Sequence, residues 1–243
     1  MKRGRYGEAA WRTWFARHRL AERCLAADAE AATRLVVVAP HPDDEVLAAG
    51  GWLASRAMHG APSLVIALSD GTASHGRSAR WPARRLANVR TGESRRALRV
   101  LGMHPVARVR AGLPDGSLRA RERSIERVLA RHLREGDLVV VPWRHDGHPD
   151  HEAAGRAAIC AARRRGARIL EAPIWAWHWR VPQDAAFPWT RACVRPVDPA
   201  ALRRKEQALA AFRSQRQPSL GRDAILPLGV LVHFMRPFEV YFA

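Results

Sequence analysis

Two short segments of the chain concentrate histidines and carboxylates. The first reads His-Pro-Asp-Asp-Glu at residues 41–45, and the second reads Arg-His-Asp-Gly-His-Pro-Asp-His at residues 144–151. Neutral imidazole nitrogens and carboxylate oxygens suit zinc and other divalent first-row metals. Three protein ligands with a fourth position left open are typical of a catalytic zinc site rather than a structural one. The two segments therefore predict a metal site that supports catalysis.

Each segment also has an interpretation that involves no chemistry. Acidic residues at the start of a helix cap free N–H groups and interact favourably with the helix dipole. Asp146-Gly147 alone is typical of a turn, and residues 148–150 could open a helix for the same capping reason. The joint occurrence of the two segments, each directly after a valine-rich run, favours the metal site.

Apolar runs predict the elements that position the two segments. Continuous runs at 35–39, 64–68 and 138–141 indicate buried parallel strands. A weaker strand is predicted at 106–109, and residues 168–179 are strand-like. Helices are predicted at about 45–59, 82–101, 119–134, 151–165 and 199–215. This alternation predicts an α/β fold with a doubly wound, mostly parallel sheet and helices on both faces. Ligands of such sheets bind beyond the carboxyl ends of the strands, where both segments lie.

The same segments resemble the two signatures of the PIG-L/LmbE family of zinc-dependent N-deacetylases. Residues 41–45 resemble its His-Pro-Asp-Asp-Glu motif, and residues 148–151 resemble its His-Pro-Asp-His motif. Three more segments support the resemblance. They are the Arg-x-x-Glu helix that begins at residue 90, the Leu-Pro-Asp-Gly loop at 113–116 and the Lys-x-x-Ala-Leu-x-x-Phe-x-Ser-Gln helix at 205–215.

The resemblance implies a Rossmann-like domain that uses Zn²⁺ to remove an N-acetyl group from an amino sugar or glycoconjugate. The zinc ligands that it implies are His41, Asp44 and His151. Asp43 would be the general base, which can pass a proton from water to the leaving amine. A protonated His148 would stabilise the oxyanion as it forms, and Asp150 would orient that histidine.

Two further positions are candidate substrate contacts. Arg90 and Asp115 match positions of the family that meet the substrate, and their side chains suit sugar hydroxyls or phosphate. Either residue could instead be structural, as a solvated helical arginine or as part of a turn. Trp175, Trp177 and Trp179 alternate, so in a strand they would share one face. Such a stripe could stack on a sugar, but it more often packs in a core or an interface.

Length and hydropathy predict the overall organisation. The 243 residues suit one domain over 1–243, with residues 1–32 as an N-terminal helical extension packed on it. The longest apolar stretch, 224–235, contains a proline and a glycine and is too short to span a bilayer. No apolar signal-peptide core follows the basic N-terminus, so we expect a cytoplasmic protein.

The net charge of +18 at pH 7 leaves other functions open. A strongly basic chain can bind nucleic acid or an acidic partner. The arginines are spread through every predicted helix, however, and no zinc-finger, RRM or KH signature is present. The alternatives are a nucleic-acid-binding protein without catalysis and an amidase of a thiol-sugar conjugate. Arginines near the rim of the site would favour an anionic glycoconjugate as the small-molecule partner.

Overall fold

A single mixed sheet brings the two candidate segments together. The computed structural model describes residues 7–18, 20, 34–76, 81–219 and 222–243. The strands within these residues are β1 (Leu35–Ala39), β2 (Ser63–Ser69), β3 (Arg108–Leu113), β4 (Leu138–Pro142), β5 (Arg168–Ala172), β6 (Ala192–Pro196) and β7 (Phe238–Phe242). They form one sheet in the order β3-β2-β1-β4-β5-β7-β6. The strands from β1 to β5 are parallel, which confirms the predicted fold class.

The strand order reverses beside the candidate site. β1 pairs with β2 on one side and with β4 on the other, so Val37 lies between Val65 and Val140. The point of reversal in such a sheet opens a crevice at the carboxyl ends of the strands. Residues 41–45 follow β1 and residues 144–151 follow β4, so both segments meet at this crevice.

Helices cover both faces of the sheet. They are α1 (Glu8–Arg17), α2 (Asp44–Met58), α3 (Ala83–Val100), α4 (Glu122–His132), α5 (Pro149–Arg165), α6 (Ala176–Trp179), α7 (Pro199–Ala210), α8 (Arg213–Arg216) and α9 (Leu228–Leu231). One layer contains α2, α3 and α7, and the other contains α4 and α5. Successive residues of β1 enter alternate layers: Leu35 and Val37 pack with the first, Val36 and Val38 with the second. Burial on both faces explains why this strand is apolar without alternation.

The C-terminal part of the sheet contains two strands, β6 and β7, that the sequence did not predict. β7 pairs antiparallel with both β5 and β6. The sequence of β6 contains Arg195 and ends at Pro196, and proline is confined to edges and ends of strands. The residue types of β6, a strand at the edge of the sheet, therefore gave little indication that this segment forms a strand.

Three predicted elements have different bounds. Residues 168–179 were expected to be strand-like, but β5 ends at Ala172 and α6 forms a helical turn from Ala176 to Trp179. The tryptophan alternation is therefore not a strand face. The third strand lies at Arg108–Leu113 rather than 106–109. The last long helix ends at Ala210, and a separate short helix follows.

The described part of the N-terminal extension packs on the sheet domain. Trp11 of α1 is fully buried, and its indole N–H donates to the carbonyl of Trp177 at 3.0 Å. Glu8 accepts hydrogen bonds from His233 and Arg236. Residues 1–6, 19 and 21–32 of the predicted extension lie outside the described residues. Within the described residues, no helix combines the length and hydrophobicity needed to cross a membrane.

Candidate metal centre and active-site cavity

Three of the predicted residues converge at the crevice. His41 lies in the turn after β1, Asp44 is the first residue of α2, and His151 lies in the first turn of α5. One donor atom from each lies within 4.8 Å of the other two. All three side chains are buried. Two imidazoles and a carboxylate at this separation are a donor set that suits zinc.

The ring of His41 is oriented by carboxylates on both sides. Nδ1 lies 3.2 Å from Asp44 Oδ2, and Nε2 lies 3.1 Å from Asp115 Oδ1 and 3.3 Å from Asp150 Oδ2. Burial lowers the pKa of His41, but hydrogen bonds to the three carboxylates raise it well above its usual value. A proton on Nε2 can be shared with Asp115 and Asp150, which leaves Nδ1 for a metal ion.

His151 is oriented from behind by Asp146. Its Nδ1 lies 2.8 Å from Asp146 Oδ2. Its Nε2 is buried, lies 3.2 Å from Asp44 Oδ2 and makes no hydrogen bond to any described residue. Burial lowers the pKa of His151, but the charge of Asp44 and the bond to Asp146 raise it to about 9. Burial raises the pKa of Asp44, but the neighbouring His151 and His41 lower it well below its usual value.

These observations fit a bound cation. A buried imidazole nitrogen without a partner costs free energy unless a ligand satisfies it. The Nε2 atom of His151 is buried and makes no well-aligned hydrogen bond to a described residue, and a cation bound between it and Asp44 Oδ2, 3.2 Å away, would satisfy both atoms. A second possible donor set, His41 with Asp115 and Asp150, also exists. Its two carboxylates accept three backbone N–H groups, those of Ala73, Gly116 and Leu118, whereas Asp44 accepts one, that of His41. The first set also has two imidazoles rather than one, so it fits zinc better.

Asp43 lies beside the three candidate metal ligands but is not one of them. Its backbone has φ +136°, a region that favours glycine. Arg90 donates to Asp43 Oδ2 at 3.0 Å, and Glu45 Oε2 accepts the Asp43 backbone N–H at 3.0 Å. Burial raises the pKa of Asp43, Arg90 opposes this, and the charges of Asp44 and Glu45 add to it, with a result of about 7. The carboxylate can therefore exchange a proton near neutral pH.

The guanidinium of Arg90 donates hydrogen bonds to acceptors within the protein. It is buried and donates to the carbonyls of Pro42 and Gly71 as well as to Asp43. Arg90 lines the cavity described below, but these acceptors occupy both of its terminal nitrogens. Arg90 is therefore placed to position Asp43, and its predicted contact with a substrate stays a prediction.

His148 differs from the expected protonated histidine. It is the N-cap residue of α5, and its Nδ1 accepts the backbone N–H of Asp150 at 3.2 Å. Burial and the neighbouring His151 and His41 lower its pKa to about 4. The ring is therefore neutral near pH 7, and because Nδ1 accepts a hydrogen bond, Nε2 carries the proton.

The expected pairing of the Asp150 side chain with His148 is also corrected. Asp150 Oδ1 accepts the N–H of Leu118, and Oδ2 accepts the N–H of Gly116 and lies near His41. Its carboxylate therefore fixes the loop after β3 and the ring of His41, and only its backbone contacts His148. The reason is that the first turn of α5 directs this side chain toward the loop that follows β3 in the sheet.

Asp115 links the same loop to His41, one of the candidate metal ligands. Its Oδ1 lies 3.1 Å from His41 Nε2, and its Oδ2 accepts the N–H of Ala73 at 2.6 Å. Burial raises the pKa of Asp115, but the bond to His41 lowers it to about 2. Asp115 also lines the cavity, so its predicted contact with a substrate stays a prediction.

A cavity of about 330 Å³ opens onto the centre. Its polar lining includes His41 and Asp44 of the candidate metal set, together with Asp43. Its lining also includes an apolar group with one amide: Leu47, Trp175, Trp179, Ile225, Leu226 and Gln215. The rings of Trp175 and Trp179 are stacked, with centroids 5.2 Å apart. Trp177 instead packs in the core, so the three tryptophans do not act as one surface.

Asp146 was not predicted to be a functional residue, because Asp146-Gly147 alone is typical of a turn. It is fully buried, and besides His151 it accepts three backbone N–H groups, those of Ile174, Trp175 and Ala176. Its position five residues before a predicted ligand was the available signal. Glu45 and Gln215 were predicted only as motif residues, with no role in the site. In the structure Glu45 accepts the backbone N–H of Asp43, and Gln215 lines the cavity.

Known proteins resemble this chain in sequence and in fold. A family model described as GlcNAc-PI de-N-acetylase (PIG-L) matches residues 36–162, from β1 to α5, and so includes both candidate segments. No curated protein sequence matches the chain significantly.

Three solved structures show the same architecture. The conserved protein TT1542 from Thermus thermophilus is 29% identical, with a TM-score of 0.52 over 74% of this chain and 79% of that one. The A40926 pseudoaglycone deacetylase Dbv21 is 26% identical, with a TM-score of 0.62 over 87% and 96%. The N,N'-diacetylchitobiose deacetylase from Pyrococcus horikoshii is 19% identical, with a TM-score of 0.61 over 89% and 82%. At that identity the last comparison shows the fold alone.

Proposed function

Because this chain belongs to the GlcNAc-PI de-N-acetylase (PIG-L) family, we propose that it is a zinc-dependent hydrolase that removes an N-acetyl group from an amino sugar or glycoconjugate. One observation carries the proposal. The donor atoms of His41, Asp44 and His151 converge next to Asp43, a carboxylate that is not part of that set. A metal with an adjacent free base is what amide hydrolysis by water requires.

The three converging residues would hold the metal. Nδ1 of His41 and Nε2 of His151 both lie 3.2 Å from Asp44 Oδ2, while Asp115, Asp150 and Asp146 contact the other nitrogen of each ring, so these three atoms are the ones placed for this role. Bound zinc would supply Lewis acidity, which activates water and polarises a carbonyl oxygen. Asp115, Asp150 and Asp146 orient the two histidines. Such carboxylate–histidine pairs fix the tautomer and the direction of the ring.

Asp43 is the proposed general base. Its pKa of about 7, raised mainly by burial, lets it accept a proton from the attacking water and later donate it to the leaving amine. Arg90 fixes the carboxylate by a bond of 3.0 Å and keeps it beside the ligands. Holding a base in the reacting geometry lowers the entropic cost of the step.

His148 is the proposed donor to the oxyanion. Its Nδ1 is engaged by a backbone N–H, so the neutral ring offers Nε2–H to the cavity. A preorganised donor stabilises the charge that develops on the carbonyl oxygen. A neutral donor stabilises the oxyanion without adding another cation to the centre, in keeping with the effect of burial, His151 and His41, which lower the pKa of His148 to about 4.

The experiment that tests the proposal combines metal analysis with acetate release. The purified protein should contain about one zinc per chain, and the zinc-loaded protein should release acetate from an N-acetylated amino sugar. Asp43→Asn should keep the metal and lose about 10²- to 10⁴-fold in kcat, the usual contribution of a general base. Asp70→Asn is the matched control, because Asp70 pairs with Arg110 outside the cavity. Absence of acetate release across amino-sugar conjugates, with zinc bound, would overturn the proposed reaction.

The substrate panel also separates the remaining alternatives. An amidase of a thiol-sugar conjugate would use the same residues and cleave the amide of that conjugate instead. A nucleic-acid-binding protein would release no acetate, and its binding would weaken steeply with salt. Retained activity of Asp43→Asn would leave the metal site in place but reject the base.

A further inference from the structure

Helix α2, which begins at the candidate ligand Asp44, bends in its middle. Ala49 has φ −145° and ψ 24°, a conformation outside the helical region. The bend separates a first segment, residues 44–48, from a second segment, residues 50–58. Bends of this kind arise where side chains insert into the hydrogen-bond ladder of a helix. The direction of the first segment decides where Asp44 points.

A buried carboxylate binds the main-chain donors on one side of the bend. Glu239 of β7 accepts the N–H of Gly51 at 2.8 Å and that of Trp52 at 3.1 Å. In a regular helix these two N–H groups donate to the carbonyls four residues earlier. A Cβ at Gly51 would lie 2.7 Å from Val197 and 3.1 Å from Glu239 Oε1, so glycine lets the carboxylate approach the backbone.

The two carbonyls four residues earlier also have side-chain partners. Lys205 of α7 donates from Nζ to the Leu47 carbonyl at 3.4 Å. The Tyr241 hydroxyl lies 3.1 Å from the Ala48 carbonyl and 3.0 Å from Glu239 Oε2. Lys205 Nζ lies 2.8 Å from Glu239 Oε1, which joins the three side chains into one buried cluster. This bend cluster, Lys205, Glu239 and Tyr241, therefore satisfies main-chain groups on both sides of the bend.

The first segment connects the bend cluster to the candidate metal centre. The N–H groups of Val46 and Leu47 donate to the Asp43 carbonyl at 2.9 and 3.0 Å. The carbonyl of Leu47 is the group that accepts from Lys205. Hydrogen bonds thus lead from Lys205 through one residue of α2 to the backbone of the proposed base.

We infer that Lys205, Glu239 and Tyr241 are positioning residues of the metal centre. They fix the bend of α2 and, through the first segment, the directions of Asp43 and Asp44. Without them the main-chain groups at the bend would be buried and unsatisfied, or would bond to one another in a regular helix that gives the first segment another direction. The inference rests on the proposed function, because it concerns residues that act on the same site.

A purely stabilising role does not account for this arrangement. A buried ion pair is often no more stabilising than apolar residues of the same volume, because both charges must leave water. The charges of Lys205 and Glu239 are matched to main-chain groups that a bent helix leaves without helical partners. The pair therefore specifies the bend rather than the packing alone.

The experiment measures zinc affinity by competition titration in Lys205→Met and Tyr241→Phe. Tyr241→Phe removes one hydroxyl and should raise the Kd for zinc about threefold to tenfold, and Lys205→Met should raise it about tenfold to a hundredfold. Arg34→Met is the matched control, because it breaks a largely buried pair with Asp137 at the opposite, amino ends of β1 and β4. Urea unfolding should show a loss of stability in Arg34→Met comparable to that in Lys205→Met, whereas its zinc affinity should stay at the wild-type value.

Zinc affinity separates positioning from stability and does not require turnover. Unchanged affinity in the folded variants, or an equal loss in Arg34→Met, would overturn the inference. If Lys205→Met fails to fold, Tyr241→Phe decides the question alone. Zinc binding that depends on the bend cluster without acetate release would retain the inference and reject the proposed reaction. Acetate release with unchanged zinc affinity in both variants would do the reverse, and a folded wild type that binds no zinc would overturn both.

Discussion

Asp146 Oδ2 lies 2.8 Å from His151 Nδ1, and both side chains are fully buried. The same carboxylate accepts the N–H groups of Ile174, Trp175 and Ala176 at 2.7–3.0 Å. One side chain thus orients a proposed metal ligand and also fixes the start of α6, which carries Trp179. Asp146 therefore stabilises both the candidate metal centre and the aromatic wall of the cavity.

Asp146→Asn should weaken zinc binding about 10- to 100-fold, as loss of a carboxylate behind a histidine ligand does. The asparagine amide is nearly the same size as the carboxylate, but it carries no charge. Its NH₂ group can also face His151 Nδ1 or the backbone N–H groups, all of which need an acceptor. The measurement is a zinc competition titration against a chelator of known affinity. Asp70→Asn serves as the control, because its carboxylate pairs with Arg110 outside the centre. Unchanged zinc affinity in a folded Asp146→Asn protein would contradict the assigned role.

Arg90→Lys should lower kcat and leave KM nearly unchanged. Arg90 donates to three acceptors at 2.9–3.0 Å, one of which is the proposed base, and a lysine ammonium cannot match the geometry of that planar fork. We expect a loss of about tenfold or more in kcat from a misplaced base. Steady-state kinetics of the zinc-loaded variant provide the measurement, with Arg110→Lys as the exposed control. A rise in KM at unchanged kcat would instead restore the substrate contact expected from the family pattern.

Much of the fold could be predicted because it depends on local patterns. β1 and β4 were predicted from continuous valine runs, which result from burial on both faces of a parallel sheet. α6 could not be predicted in the same way. Its backbone N–H groups are bound by Asp146, about 30 residues earlier in the chain, and such a tertiary contact leaves no period in the sequence.

The candidate site was predictable in its residue types but not in its hydrogen bonds. His41, Asp44 and His151 converge as the motifs indicated. The partners of Arg90 and Asp150 were not predictable, because they come from the loops after β1, β2 and β3. Where a long side chain ends depends on how these loops pack, and spacing within one motif contains no information about that.

Asp43→Gly should be more stable than Asp43→Ala. Both variants lose the carboxylate and its bond to Arg90, so their difference isolates the backbone at φ +136°. A non-glycine residue in such a region costs on the order of 1–3 kcal/mol. Urea unfolding of the two metal-free variants gives the difference in free energy of unfolding. The same pair at Asp70, where φ is not positive, should favour alanine by about 0.5–1 kcal/mol. Equal stabilities at position 43 would show that the surrounding structure relaxes this strain.

The contribution of Glu8 to stability should depend on pH. Burial raises the pKa of Glu8, but Arg236 and His233 lower it by more, so the folded-state pKa lies below the ordinary value of 4.5. A carboxyl with a lowered folded-state pKa stabilises the fold fully above its unfolded pKa and loses this contribution as the pH falls through the folded value. Glu8→Gln should therefore destabilise the protein by on the order of 2 kcal/mol at pH 7, as expected for hydrogen bonds to charged groups. The deficit should shrink steadily below pH 4.5.

Thermal and urea unfolding of wild type and Glu8→Gln across this range measure the change. Glu122→Gln is the matched control, because the side chains of its pair with Arg156 are 35% and 40% accessible, and pairs near the surface contribute little. A deficit in Glu8→Gln that stayed constant from pH 7 down to acid unfolding would mean that packing of α1, rather than the charge of Glu8, provides the stability. A deficit that disappears on acidification would instead assign it to the carboxylate that joins α1 to His233 and Arg236.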